Sequence, residues 1–464
     1  MTSPVKRSGE LRYLLLVLLI MSVGFLILQA GFVDRGVPET LFTRNGSLDI
    51  SPFFLNFFPN ALYATFFVAI FLLLHVYIRA KIPSADPFIL PAVALLTGVG
   101  IILLFRLSPD LSRSRNEALL ALFQSGTLER GGDNVLSLAQ LGMRQFIFFV
   151  IGIIGMIVAI NFFGKVGISW FSSKKYFWVL LSIVLICITL KFGTTINGRT
   201  LWLFGFQTVE VVKLCMLLFI AGYVYEKGKG ISVHGGQDYS GWFRHAGPFF
   251  VMWFFALAPL FIQRDLGPVM LVFVVFLIMF YYAGNRISVV AYLVLVIGAA
   301  LYGAYSMGYP SILRQRVDMM LDPFGRNETT ARALWSMASG GFYGTGIGYG
   351  KPYRIPEVQS DYNFVAICEE MGLAGAFAVM FAYAVLVFRC FVVAGRTSHV
   401  YRKTLSTGIG TLIGIQSFII IAGNLGIIPL TGITLPFVSY GGSSMIMNFV
   451  MVGIVLRLSE EDNG

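Results

Sequence analysis

The residues of this chain that could do acid–base or electrostatic chemistry sit inside or beside long apolar runs. Asp265 lies in Gln263-Arg264-Asp265-Leu266-Gly267-Pro268, which interrupts apolar sequence from about 248 to 284. One straight helix over that run would be roughly 55 Å long, against a hydrocarbon core of about 30 Å. The run must break, and Gly267-Pro268 is where it can. Two short membrane helices joined by a tight turn are predicted, with Asp265 at their mouth. A carboxylate at membrane depth is costly enough to mark function; the competing reading is a solvated turn residue paired with Arg264. Glu210 and Lys213 are three apart, so they share a helix face. They either neutralise each other as a structural pair or form one wall of a polar cavity.

Further chemistry lies in the second half. Arg314, Arg316 and Asp318 open a long polar segment, followed by Leu321-Asp322-Pro323 and a run from Ser339 to Lys351 with glycine at 340, 341, 344, 346, 348 and 350. Such a run can wrap a ligand closely and present N–H groups to an anion; it can also be a flexible loop. Glu357 and Asp361 close the segment. Glu369-Glu370 then form a second intramembrane carboxylate cluster, or a helix-packing network. The stretch from Leu430 to Ser444, with Ser439 and Ser443, is small and polar enough to interrupt a helix at membrane depth.

These residues need elements to hold them. With 57% hydrophobic, 15% aromatic and 12% charged residues, the chain is predicted to be an all-α polytopic membrane protein. Twelve apolar runs are long enough to span: about 11–32, 60–78, 88–105, 145–163, 176–191, 207–225, 247–263, 267–283, 288–306, 363–388, 405–427 and 441–457. Lys and Arg in the short loops (Arg79, Lys81, Lys174, Lys175, Arg286, Arg396, Arg402 among them) put both termini in the cytoplasm. The Asp265 turn, an extracellular loop at 307–362 and the 428–440 segment then share the outer face. The first run follows Lys6, Arg7 and Arg12 without a small-residue cleavage site, so it reads as a retained span.

Several function classes fall away. His75, His234, His245 and His399 all lie toward the inner side, so acid–base work outside is left to carboxylates, with neither a Ser-His pair nor zinc. No GxxxxGK[ST] is present to power the protein with nucleotide. Cys187, Cys215, Cys368 and Cys390 read as small buried hydrophobes. The net charge of +11 suits membrane lipids or phosphate-bearing substrates, and its scatter over many loops excludes nucleic acid. No obvious internal repeat argues for a repeat-built transporter.

From about Leu90 to Leu458, the motifs taken in order resemble the SEDS family, the FtsW/RodA/SpoVE glycosyltransferases of bacterial cell-wall synthesis. Gln263-Arg264-Asp265-Leu266-Gly267 is similar to the family's Q-P-D-L-G, with Arg264 in place of Pro. Gln207, Glu210 and Lys213 match Q-P-S-E-x-x-K, with Thr208 and Val209 substituted. Leu321-Asp322-Pro323, Ser339-Gly340-Gly341, Pro356-Glu357, Asp361 and Glu369-Glu370-Met371-Gly372 follow the family's outer loop and the helix after it. Leu435 to Ser444 resembles its final motif. The common Arg-Trp pair is missing near Trp202, leaving Arg199 as the arginine at that place.

The resemblance implies a ten-helix core over 88–464, with residues 1–87 as two added N-terminal helices in the manner of RodA-like members. It implies polymerisation of lipid II, an undecaprenyl-pyrophosphate-linked disaccharide peptide, in elongation or division. Asp265 takes the catalytic role. Glu210, Lys213, Arg199, Arg314, Arg316, Lys351, Ser439 and Ser443 line the substrate, and Glu357 and Asp361 hold the loop or a divalent cation. A class B penicillin-binding protein is the implied partner. The alternatives are a lipid-linked precursor flippase and a non-catalytic scaffold.

Overall fold

The computed structural model describes residues 8–36, 51–124, 140–196, 199–231, 247, 250, 266–283, 287–308, 311–326 and 328–460. These are mostly helical. In lipid the backbone has no water to bond, and a helix satisfies its own polar groups. Along the chain run α1 (Ser8–Gly36), α2 (Ser51–Lys81), α3 (Ile89–Gln124), α4 (Leu141–Val166), the short α5 (Ile168–Ser173) and α6 (Lys175–Phe192). After a small sheet come α7 (Val209–Ile231), α8 (Leu266–Tyr282), α9 (Ile287–Met307), α10 (Ser311–Leu321), α11 (Pro323–Arg326) and α12 (Glu328–Gly340). Last are α13 (Asn363–Arg396), α14 (Val400–Asn424) and α15 (Gly442–Leu458). Seven described helices are long and apolar enough to cross a membrane, and two shorter ones are apolar. All the expected spans appear as helices except 247–263, of which only residues 247 and 250 are described. The protein is an all-α polytopic membrane protein.

The chain divides into two compact units, one comprising 1–149, 331–385 and 437–440, the other 150–330, 386–436 and 441–464. In the first, α1 lies along α2 and α3. Gly98 of α3 makes this approach possible: a Cβ there would sit 2.3 Å from the Met21 sulfur. Beneath is an aromatic layer in which Phe67, Phe71 and Phe149 have ring centroids 4.9–5.6 Å apart. Although the apolar run ends at 105, α3 continues to Gln124. Arg106, expected in a connection, is inside this helix and buried. The helix tolerates the charge because acidic partners meet it there.

In the second unit α7 is buried on all sides from Leu214 to Val224 and carries α6, α14, α5 and α15 around it. On α6 the exposed Leu180, Val184 and Ile188 recur every four residues, an outward stripe suited to lipid. Cys187 is exposed on the same helix, whereas Cys215, Cys368 and Cys390 are buried. The expectation of four buried cysteines therefore fails at 187, because α6 is covered on one face only.

Two segments read as loops have structure. Residues 194–207 form an antiparallel meander of β1 (Thr194–Ile196), β2 (Arg199–Leu203) and β3 (Phe206–Gln207), with Thr194 opposite Trp202 and Trp202 opposite Gln207. Phe204 (φ 50°) and Gly205 (φ 78°) both adopt positive φ, the requirement of a tight hairpin turn. The 307–362 segment holds α10, α11, α12 and a single 3-10 turn at Pro352–Arg354.

Candidate functional site

In the second unit a chain of polar groups runs through α7, α14 and α15. Val209–Ile231 begins as a helix directly after the meander, so Glu210 and Lys213 fall in its first turns, where they pair at 2.7 Å with both side chains buried. Lys213 Nζ also donates to Gln416 Oε1 at 2.9 Å, and Gln416 Nε2 donates to the Thr434 carbonyl at 2.7 Å. Thr434 and Ser444 share a hydroxyl contact at 2.9 Å, and Asn448 Nδ2 donates to Ser444 Oγ at 3.1 Å. Two of the lysine's three donors are engaged by these partners. Replacing Lys213 by Met is expected to strand the Glu210 charge and cost about 3–5 kcal/mol. Thermal denaturation in detergent should show that loss, with much of it recovered in the Glu210→Gln/Lys213→Met double variant.

The same unit fixes the start of α8, the helix that follows Asp265 in sequence. At Gly267 a Cβ would lie 2.6 Å from the Thr431 carbonyl oxygen, so only glycine lets the helix approach the 431–433 segment. Arg316 Nη1 donates to that same carbonyl at 2.9 Å. A guanidinium from α10 is thereby tied to the strand of chain lying against Gly267.

In the first unit the glycine run meets a broken helix. Gly372 has φ 66° and ψ −168°, so α13 breaks two residues after Glu370. The backbone groups freed by the break need partners, since lipid supplies none. Thr345 and Gly346 donate to the Glu369 and Glu370 carbonyls at 2.9 and 3.0 Å, while Leu373 and Ala374 donate back to Gly341 and Phe342 at 3.0 and 3.1 Å. The carboxylates are claimed as well. Gly348 N–H donates to Glu370 Oε2 at 3.1 Å, Lys351 N–H to Glu369 Oε1 at 2.6 Å, and the Ser336 hydroxyl to Glu369 Oε2. The run does present N–H groups to anions, and those it meets are the chain's own two glutamates.

Behind them Arg106 is buried, with Nε 3.0 Å from Glu370 Oε1, Nη2 donating to the Gly350 carbonyl at 3.0 Å, and Nη1 on Asp110. At Gly344 (φ 84°) a Cβ would sit 2.3 Å from the Glu370 carbonyl oxygen, whereas at Gly341 (φ 54°) it would enter open space. Gly341→Ala should therefore cost only the left-handed backbone term, about 1–2 kcal/mol, and Gly344→Ala clearly more. Unfolding midpoints of the two variants check the order.

The expected site residues are thus distributed. Asp265, the catalytic candidate, lies outside the described residues, as do Gln263 and Arg264. Glu210 and Lys213 come together, and Ser443 is buried and accepts a hydrogen bond from Gln207 N–H at 2.8 Å. Ser439 is buried, its carbonyl accepting from Gln145 Nε2 at 3.2 Å. Arg199 pairs with Ile196 in the meander. Arg314 is exposed, 4.0 Å from Asp318. Lys351 points into a cavity of about 750 Å³. Glu357 (φ 56°) begins a turn in which its carbonyl accepts from Asp361 N–H at 3.0 Å, and its Oε2 accepts from Gln359 at 3.0 Å.

Among the described residues no three His, Cys, Asp or Glu side chains gather to hold a metal. Arg106, Gln416 and Gln145 were not anticipated. For Arg106 the signal was present: an arginine following Ile-Ile-Leu-Leu-Phe needs a buried partner.

The model of the FtsW/RodA/SpoVE family, described as cell cycle proteins, matches residues 121–464. The peptidoglycan glycosyltransferase RodA of Mycobacterium tuberculosis is 28% identical over 98% of this chain and 91% of its own. An FtsW protein of Thioalkalivibrio sp. is 30% identical over 82% of this chain and 90% of its own. In fold the chain is similar to a protein of a peptidoglycan synthase complex that coordinates polymerization and crosslinking (TM-score 0.62, 22% identity, 81% of this chain and 97% of that one). It is also similar to Thermus thermophilus RodA (TM-score 0.54, 20% identity, 82% and 98% covered). With the match spanning most of its length, the chain belongs to the FtsW/RodA/SpoVE family.

Proposed function

We propose that this protein is a RodA-like peptidoglycan glycosyltransferase of the bacterial cytoplasmic membrane, polymerising lipid II into glycan strands at the outer face during elongation or division. The observation that carries this reading is likeness to a RodA glycosyltransferase over 98% of the chain. In the reaction Asp265 takes the proton from the acceptor sugar's 4-hydroxyl as that oxygen attacks the donor's anomeric carbon. The anomeric carbon–oxygen bond breaks, and undecaprenyl pyrophosphate leaves with the electron pair. Positive charge near the departing group stabilises it. Lys213 and Arg316, the latter anchored beside Gly267, are suited to that task. Arg199, Arg314 and Lys351 add cationic substrate contacts. Glu357 and Asp361 hold the loop, and any divalent cation there would need donors from the substrate. Ser439 and Ser443 are further substrate contacts from the 431–444 stretch.

Both termini lie in the cytoplasm, residues 1–87 are an N-terminal addition, and 88–464 form the catalytic core. A class B penicillin-binding protein in the same membrane would crosslink the strands. Purified protein incubated with lipid II, with and without that partner, should yield long glycan strands on a sizing gel. Lipid II that crosses liposome bilayers without chain growth would replace this reading with a flippase. Neither growth nor crossing would leave a scaffold.

A further inference from the structure

The cavity of about 750 Å³ in the first unit is built wholly from the segment 332–355 and Glu369. Three cationic side chains line it: Arg332, Lys351 and Arg354. Lys351 and Arg354 are exposed and have no ion-pair partner among the described residues. The one carboxylate in the lining, Glu369, is already bonded to Lys351 N–H and the Ser336 hydroxyl. The formal charge of the lining is therefore positive, three cations against one carboxylate. Two large aromatic side chains line it, Trp335 at 61% exposure and Tyr349 at 51%.

Its hydroxyls have a polarity too. Ser336 donates to Glu369, Ser339 to the Ser336 carbonyl at 2.7 Å, and Thr345 to the Glu369 carbonyl at 3.0 Å. With their protons spent inside the protein, they offer lone pairs to the cavity. A ligand fitting these walls carries anionic groups for the cations, hydroxyl or amide donors for the hydroxyls, and flat apolar faces for the aromatics. Sugar rings linked to carboxylate-bearing groups meet all three demands.

We propose that this cavity is a binding site for an anionic saccharide: on the glycosyltransferase reading, a segment of glycan whose peptide stem carries free carboxylates. Carboxylates pair with Lys351 and Arg354, and a ring stacks on Trp335. The site belongs to the loop and helices of the first unit, so it needs no contribution from Asp265.

The test uses the purified full chain in detergent, titrated calorimetrically with three probes: a disaccharide tripeptide with free carboxylates, its fully amidated form, and inorganic phosphate. The free acid is expected to bind about tenfold or more tightly than the amide, and phosphate not measurably. Lys351→Ala/Arg354→Ala should remove that preference while leaving binding of the amide unchanged. Trp335→Ala should weaken both saccharides. Equal binding of acid and amide, a double variant that binds like the parent, or displacement of the acid by phosphatidylglycerol nanodiscs would each overturn the proposal. The last would assign the cations to lipid headgroups. Asp265→Asn should bind the acid like the parent. A protein that binds the acid but never extends lipid II would overturn the glycosyltransferase reading alone. One that extends lipid II with unaltered binding in the double variant would overturn this inference alone.

Discussion

Asp265→Asn is expected to leave the protein inserted and folded while cutting glycan polymerisation by about 100- to 10,000-fold, the range in which a positioned general base contributes. Asn has nearly the same shape, so the start of α8 keeps its packing. That packing is set by Gly267 against the Thr431 carbonyl, which the substitution does not touch. What is lost is a group able to accept the acceptor sugar's proton as its oxygen attacks. The separation from a binding defect comes from the lipid II concentration dependence: the rate at saturation should fall, and the half-saturating concentration should change little. Strand synthesis at parental rate by a normally expressed Asn variant would remove Asp265 from the mechanism.

The second large effect concerns a residue that touches no substrate. Arg106→Leu should destabilise the protein by about 3–5 kcal/mol, because removing one member of a buried charge pair leaves the other uncompensated. Arg106 is 1% exposed and faces Glu370, Asp110 and the Gly350 carbonyl. Glu370 would lose its buried guanidinium, while the Gly348 N–H that also serves its carboxylate is a neutral donor. The expected signature is a lower unfolding midpoint in detergent, with early protease cleavage between 340 and 351. Adding Glu370→Gln should restore part of the loss, since it removes the stranded charge. If Arg106→Leu and the parent melt together, the cluster is not what holds this loop.

Much of the architecture was legible because membrane helices are long and uniform. Runs such as 145–163 and 176–191 announce themselves by apolar length alone, and the helices found there differ by a few residues. The pairing of Glu210 with Lys213 was legible too, as it follows from spacing within one helix. The meander at 194–207 was not, since two- to five-residue strands carry little signal beside helices of this length. Gln416 was invisible as the partner of Lys213, being 203 residues away in sequence. Arg106 was misplaced because hydropathy ends a span at the first charge, whereas the chain ends it where charges lose their partners. The glycine run reads in the sequence as either an anion cradle or a flexible loop, and nothing local reveals that its anions are the glutamates about twenty residues later.

The clasp between residues 341–346 and the break at Gly372 is made of main-chain groups on both sides. Apart from the glycines at 341, 344, 346 and 372, whose positive φ it requires, it is therefore indifferent to which side chains decorate it but not to how many residues it contains. Phe342 and Tyr343, both exposed, can diverge freely. One residue inserted or deleted between 340 and 350 would put every donor out of step with its acceptor, so this segment should vary in spelling while keeping its length.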